Sequence, residues 1–235
     1  MDDSDNPRDR APHDSALDDS ALHGLFGGAF DPIHRGHLTP VAEAMRVASL
    51  STVTYLPAAA PPHRPPPEAS ARHRLQMTRI AVNHRPRCVA DGIELRRAGP
   101  SYTIDTLREL RRRHPRRRYA LLLGLDALLG LERWHRWRAL QSSTHIIALA
   151  RPGWRVERTP AWWRGARVES GDDLRRARGG KLLLLETAPV AISATQVRAR
   201  IRAGEPVGEL LPVGVWDYIR AHRLYGCADV GAESK

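Results

Sequence analysis

Apolar runs that keep returning, with amphipathic stretches between them, confine this chain to a narrow set of folds. The runs at 53–56, 119–123, 145–149 and 181–185 are near-continuously apolar, and a shorter apolar segment spans 22–26. Strands without polar alternation suit a parallel sheet covered on both faces. Between them, 38–49, 70–83 and 103–113 carry helical spacing. Such alternation predicts an α/β fold with a doubly wound, mostly parallel sheet, whose ligands bind at the carboxyl ends of the strands. At 235 residues and 42% hydrophobic, the chain suffices for one domain with a sizeable core. We place that domain at 21–227, with an Asp-, Pro- and Ser-rich leader at 1–20 read as disordered and a short tail at 228–235. The Pro-rich stretch 57–67 is too long for a tight turn and is expected to form a loop over the site. Residues 151–172 read as a second irregular connection.

Charge and cysteine usage narrow the function classes. The formal charge of +11 divides unevenly: residues 1–20 hold seven aspartates and two arginines, a net of −5, which leaves +16 for the rest. A basic body makes nucleic acid a partner to weigh. Yet 35 of the 37 basic residues are arginine, spread along the chain, and no aromatic-interleaved or zinc-finger pattern accompanies them. The dense group from Arg108 to Arg118 follows a helical stretch and reads as a solvated helix end. The longest apolar stretch, 119–131, is broken by Asp126 and too short to span a bilayer. The acidic N-terminus is no signal peptide. Cys88 and Cys227 stand far apart and read as reduced thiols, so a cytoplasmic enzyme without membrane attachment is expected.

Chemistry concentrates in Gly27-Gly28-Ala29-Phe30-Asp31-Pro32-Ile33-His34-Arg35-Gly36-His37. Glycines at the end of a strand let phosphate approach the backbone. A helix expected over 35–49 then offers unpaired N–H groups at the positive end of its dipole. His34 and His37 are i and i+3, neighbours on one face, so both imidazoles can point at one triphosphate. The plain alternative is a glycine hairpin with two surface histidines. The whole string resembles the GG(T)FDPxHxGH signature of the HxGH nucleotidylyltransferases, and its FDPIH form resembles the bacterial nicotinate mononucleotide adenylyltransferases. Ala29 stands where that signature usually has threonine, which keeps a backbone role and removes a hydroxyl.

Other segments carry the same resemblance, which together spans about residues 22–226. Ile192-Ser193-Ala194-Thr195-Gln196-Val197-Arg198 resembles the family's ISSTxxR motif, about 155 residues downstream of HxGH. On its own, Ser193 with Gln196 is a capping box. Pro61-Pro62-His63-Arg64 resembles a PPH(K/R) loop. Gly99-Pro100-Ser101-Tyr102-Thr103 resembles a GPSYT segment at a helix start, where Ser101 or Thr103 is otherwise simply an N-cap candidate. Gly124-Leu125-Asp126 resembles a GxD at a strand end, Trp134-His135-Arg136-Trp137 follows it, and Arg151-Pro152-Gly153 resembles an RPG near the adenine end. The segment from Leu211-Pro212 to Tyr225 resembles the closing helix and is assigned to packing.

The resemblance implies a Rossmann-like nucleotidylyltransferase fold and transfer of AMP from ATP to nicotinate mononucleotide. The catalytic residues are then His34, His37 and Arg198. ATP would meet Gly28, Ala29, Phe30, His34, His37, Arg151, Ser193, Thr195 and Arg198. The acceptor would meet Asp31, Arg64, Thr103, Asp126, Trp134 and His135, with Trp134 stacking on the pyridinium ring and Trp137 in the core. Mg2+ is implied with the nucleotide, and no carboxylate cluster in the sequence cages it, so no protein metal ligand is assigned. The same chemistry on nicotinamide mononucleotide or phosphopantetheine, a basic nucleic-acid-binding module and a catalytically idle homologue are the alternatives. The sequence is silent on oligomeric state.

Overall fold

A computed structural model describes residues 21–59, 65–97, 99–150, 153, 159–188 and 190–227. The elements run β1 (Leu22–Gly28), α1 (Arg35–Val47), β2 (Thr52–Pro57), α2 (Ala71–Val82), β3 (Cys88–Ala90), α3 (Thr103–Arg113), β4 (Arg118–Gly124), α4 (Leu125–Leu129), α5 (Trp137–Ser143), β5 (His145–Ala150), α6 (Trp163–Ala166), β6 (Arg167–Val168), α7 (Gly171–Arg175), β7 (Leu182–Glu186), α8 (Ala194–Arg202) and α9 (Val215–Ala221). Every strand pair is parallel, and the sheet order is 3-2-1-4-5-7-6. The predicted α/β doubly wound sheet is therefore present. Its order reverses between β1 and β4, which opens a crevice at the carboxyl ends of those two strands.

Alternation of side chains across each strand explains the apolar runs. On β4, Ala120 and Leu122 face one core with α1, α2, α8 and α9, while Tyr119, Leu121 and Leu123 face the other with α3, α4 and α5. A strand covered on both sides has no polar face, hence no alternation in its sequence. The four predicted strands all form, as β2, β4, β5 and β7, and the apolar segment 22–26 lies in β1. The three- and two-residue edge strands β3 and β6 carry no readable period, and α6, β6 and the start of α7 lie within what reads as an irregular connection at 151–172. The N-cap of α3 is Tyr102, without a side-chain cap bond, so neither Ser101 nor Thr103 has that role. Arg111, within the arginine group, donates to the Ser143 carbonyl and so braces α3 against α5. Among the described residues no helix is long and apolar enough to cross a membrane.

One glycine sets how closely two helices meet. A Cβ on Gly171, at the start of α7, would lie 2.6 Å from both the Ala48 Cα and the Val47 carbonyl oxygen at the end of α1. Those are backbone atoms and cannot rotate away. Gly171→Ala is expected to cost about 2 kcal/mol, as overpacking of a close-packed site does. Thermal unfolding should fall by roughly 6 °C; an unchanged midpoint would show that α1 and α7 separate without cost.

Candidate active site

The crevice at the switch point is a cleft of about 960 Å³. Its floor comes from strand ends: Gly27 and Gly28 of β1, Leu123 and Gly124 of β4, and Leu149 and Ala150 of β5. One wall holds Ala29, Phe30, Asp31, Gly36 and His37, and the facing wall Ile192, Ala194, Thr195 and Arg198. Thr103, Asp126, Trp134 and His135 line the other end, and Ala58 with Pro65, Pro66 and Pro67 lies along the Pro-rich stretch. The fold thus brings together most of the residues singled out in the sequence. Arg64 and Arg151 lie outside the described residues, as do 1–20 and 228–235.

Two of the expected phosphate-facing groups sit elsewhere. His34 does not line the cleft. It is buried, with extended backbone (φ −143°, ψ 172°), because it is the N-cap of α1 and not a residue of its first turn. Its ring stacks on that of His37, with centroids 3.8 Å apart. Burial lowers its pKa to about 4, so the imidazole is neutral near pH 7. Its Nδ1 has no hydrogen-bond partner among the described residues. Ser193 also stays out of the lining; its hydroxyl accepts the Gln196 N–H at 3.2 Å and caps α8, as a capping serine does.

His37 is half-buried and forms the wall itself. The His34 N–H donates to its Nδ1 at 3.2 Å. That bond leaves the proton of a neutral His37 on Nε2, which is then the donor nitrogen. Phe30 meets the ring edge-on at 5.2 Å and sets its plane. Gly36 has a role that its place in HxGH does not reveal. A Cβ there would lie 2.9 Å from His34 Nδ1 and 3.1 Å from the Ile192 carbonyl oxygen. A side chain at position 36 would wedge apart the two signature segments.

Polar side chains lock the cleft walls to each other. Asp31 is buried, and its carboxylate accepts from the Glu68 and Ala69 N–H groups at 2.8 and 3.0 Å and from the Tyr225 hydroxyl at 2.8 Å. Arg198 donates to the Asp31 carbonyl at 2.8 Å and to Glu68 at 2.7 Å, and its guanidinium lies 3.7 Å from the Asp31 carboxylate. The Asp31 carboxylate is therefore held by the protein's own donors where it lines the cleft. The closing segment does more than pack, since Tyr225 reaches Asp31 from the C-terminal turn.

Sequence reasoning passed over Arg74. It is 1% exposed and donates to the carbonyls of Ala29 (2.7 Å), Ala59 (3.4 Å) and Ala69 (3.2 Å). Nothing in the helical pattern of α2 distinguishes it from the neighbouring surface arginines. At the far end, the ring of His135 lies 4.4 Å from that of Tyr102. Trp134 is half-buried, one side on the core and one on the cleft. Trp137 lies at the rim of the core, with the Arg138 guanidinium 4.7 Å above its ring.

Known proteins share both sequence and fold. Residues 25–200 match the cytidylyltransferase-like family model. A probable nicotinate-nucleotide adenylyltransferase of Acidithiobacillus ferrooxidans is 41% identical over 217 residues, covering 91% of this chain and 98% of that one. The corresponding protein of Serratia proteamaculans is 43% identical over 217 residues, covering 90% and 98%. Plasmodium falciparum nicotinic acid mononucleotide adenylyltransferase, solved with NaAD, has the same fold at 16% identity, with a TM-score of 0.67 over 88% of this chain and 98% of its own. With its signature strings gathered around one cleft and such identity along nearly the whole of these relatives, the chain belongs to the cytidylyltransferase-like family, beside the nicotinate-nucleotide adenylyltransferases.

Proposed function

We propose that this protein is a nicotinate-nucleotide adenylyltransferase, moving AMP from ATP to nicotinate mononucleotide and releasing pyrophosphate in NAD biosynthesis. The observation that carries the reading is the meeting of two helix starts across one cleft: His37 in the first turn of α1 faces Ala194, Thr195 and Arg198 in the first turns of α8. Two helix starts, each at the positive end of its dipole, and a guanidinium suit a triphosphate. The names borne by the relatives support the acceptor.

The acceptor's 5′-phosphate is already anionic at neutral pH and attacks the α-phosphorus in line, so no covalent intermediate is needed. Catalysis is then positioning and charge stabilisation. His37 donates from Nε2 to the reacting phosphates. His34, buried behind it, holds it through the stacked ring and the N–H bond to Nδ1. Thr195, Arg198 and the N–H groups of α8 hold the leaving pyrophosphate, and Gly28, Ala29 and Phe30 give the triphosphate a backbone surface. At the other end, the N–H of Thr103 and the backbone at His135 take the nicotinate carboxylate, Trp134 stacks on the ring, and Asp126 accepts from ribose hydroxyls. Arg64 and Arg151 keep their expected roles toward phosphate and adenine. Among the described residues no group of three His, Cys, Asp or Glu could hold a metal ion. Mg2+ would come with the nucleotide, held by its phosphates, and would offset their charge.

The test is pyrophosphate release with ATP and Mg2+, comparing nicotinate mononucleotide with its amide. Strong preference for the acid is expected, and equal use would remove the carboxylate pocket from the reading. In the same assay Trp134→Ala should raise KM for the acceptor by about tenfold or more, the worth of one stacked ring. An equal rise in KM for ATP would place that indole outside the acceptor pocket.

A further inference from the structure

A buried carboxyl that the reaction above does not use lies in the acceptor end of the cleft. Glu94 sits in the single 3-10 turn Ile93–Arg96, is 7% exposed, and lines the cleft beside Ser101, Tyr102, Thr103 and Thr106. Its Oε1 accepts from the Thr106 hydroxyl at 2.9 Å. Thr106 is three residues beyond Thr103 on α3, so the two share one helix face. The Glu94 carboxyl is thereby held within about one helical turn of the N–H groups that open α3.

Arg97 reaches that carboxyl through the Thr106 hydroxyl and pairs with a different carboxylate. Arg97, the charged residue that follows the turn, donates to Thr106 Oγ1 at 2.8 Å and directs Nε and Nη2 to Glu109 on α3, at 3.1 and 2.5 Å. Asp91, before the turn, pairs with Arg96 at 2.9 Å on the outer surface. On β2, which backs the turn, Leu56 shares a core with Ile93 and brings no charge, while the Tyr55 phenol packs in the core on the other face of the sheet. The Tyr102 ring lies 4.4 Å from that of His135. Burial raises the Glu94 pKa, against the hydrogen bond from Thr106 and the field of Arg97.

We propose that Glu94 is a specificity-determining residue that reads the nicotinyl substituent: protonated, it donates to the carboxylate of the acid substrate; ionised, it repels that carboxylate and accepts from the N–H of the amide. The inference rests on the acceptor assignment above. Two carboxylates within one helical turn, both withdrawn from water, cannot readily ionise together. Binding of the acid therefore draws one proton from solvent onto Glu94, and binding of the amide does not.

Two measurements decide it. In calorimetric titration of the unmodified protein, in buffers of different ionisation enthalpy, nicotinate mononucleotide should take up more protons than nicotinamide mononucleotide at pH 7.5 to 9. The 5′-phosphate is common to both ligands and cancels. Equal uptake overturns the proposal and leaves the adenylyltransferase reading standing, whereas lack of turnover with either ligand in the pyrophosphate assay overturns both. Second, the ratio of kcat/KM for acid over amide should fall about tenfold or more from pH 6 to pH 9 in the unmodified protein, as one ionisation allows. In Glu94→Gln that ratio should stay flat, with the KM for ATP following the same pH course in both proteins. A parallel fall in the variant would assign the pH dependence to another group.

Discussion

His37→Ala is expected to slow pyrophosphate release by about 10³-fold, the upper end of what removing one preorganised donor costs a reaction that develops charge on oxygen. The reason is the bond that orients the ring. With Nδ1 accepting the His34 N–H at 3.2 Å, Nε2 is the nitrogen that carries the proton, before any substrate arrives. Water in the space left by alanine would have to reorganise at each turnover. The fold should survive, because the ring's contacts include the stack on His34 and the rings of Phe30 and Phe26, pairs worth about 1 kcal/mol each against a total of about 5–15 kcal/mol. Steady-state kinetics and a melting curve on the same preparation check both halves. A near-normal rate, or a collapse of the melting transition, would each remove His37 from the phosphate-binding role.

Arg74→Met should be the most damaging change to stability, at about 3–5 kcal/mol, the range for removing one partner of a buried charged network. Methionine fills most of the volume but leaves the carbonyls of Ala29, Ala59 and Ala69 without their donor. Burial lowers the pKa of Arg74, and the facing Asp31 charge works against that shift. Denaturant unfolding should register the loss as a lower midpoint at unchanged slope. With Ala29 in its proposed place on the triphosphate surface, KM for ATP should also rise in the folded variant. Arg74→Lys should fall between the two proteins, since one ammonium cannot serve three carbonyls in a fixed fork. Full stability in Arg74→Met would mean that water satisfies those carbonyls equally well.

The strands that pack on both faces were legible because burial on both sides erases polar alternation, so 53–56, 119–123 and 145–149 stand out in the sequence. The cleft was legible for a different reason. Glycines close β1, where a Cβ on Gly28 would lie 2.8 Å from the Phe30 ring, and the two helix starts carry His37 and Thr195 within a turn of a capping residue. The edge strands β3 and β6 were not, since two or three residues hold no period. Arg74, Glu94 and Tyr225 escaped notice because their partners are remote in the chain or are backbone carbonyls; Tyr225 meets Asp31 across 194 residues.

By itself the sequence determined the α/β order, the carboxyl-end location of the site and the residue types along its walls, because these follow from local period, glycine chemistry and helix capping. Only the tertiary structure decided which of those residues face the cleft. It places His34 behind His37 and turns the Ser193 hydroxyl into α8, since an N-cap residue lies outside the helix whose N–H groups it serves. It also commits Asp31 to Glu68, Ala69 and Tyr225, because a buried carboxylate must find donors, and these come from two segments that only the fold brings to it.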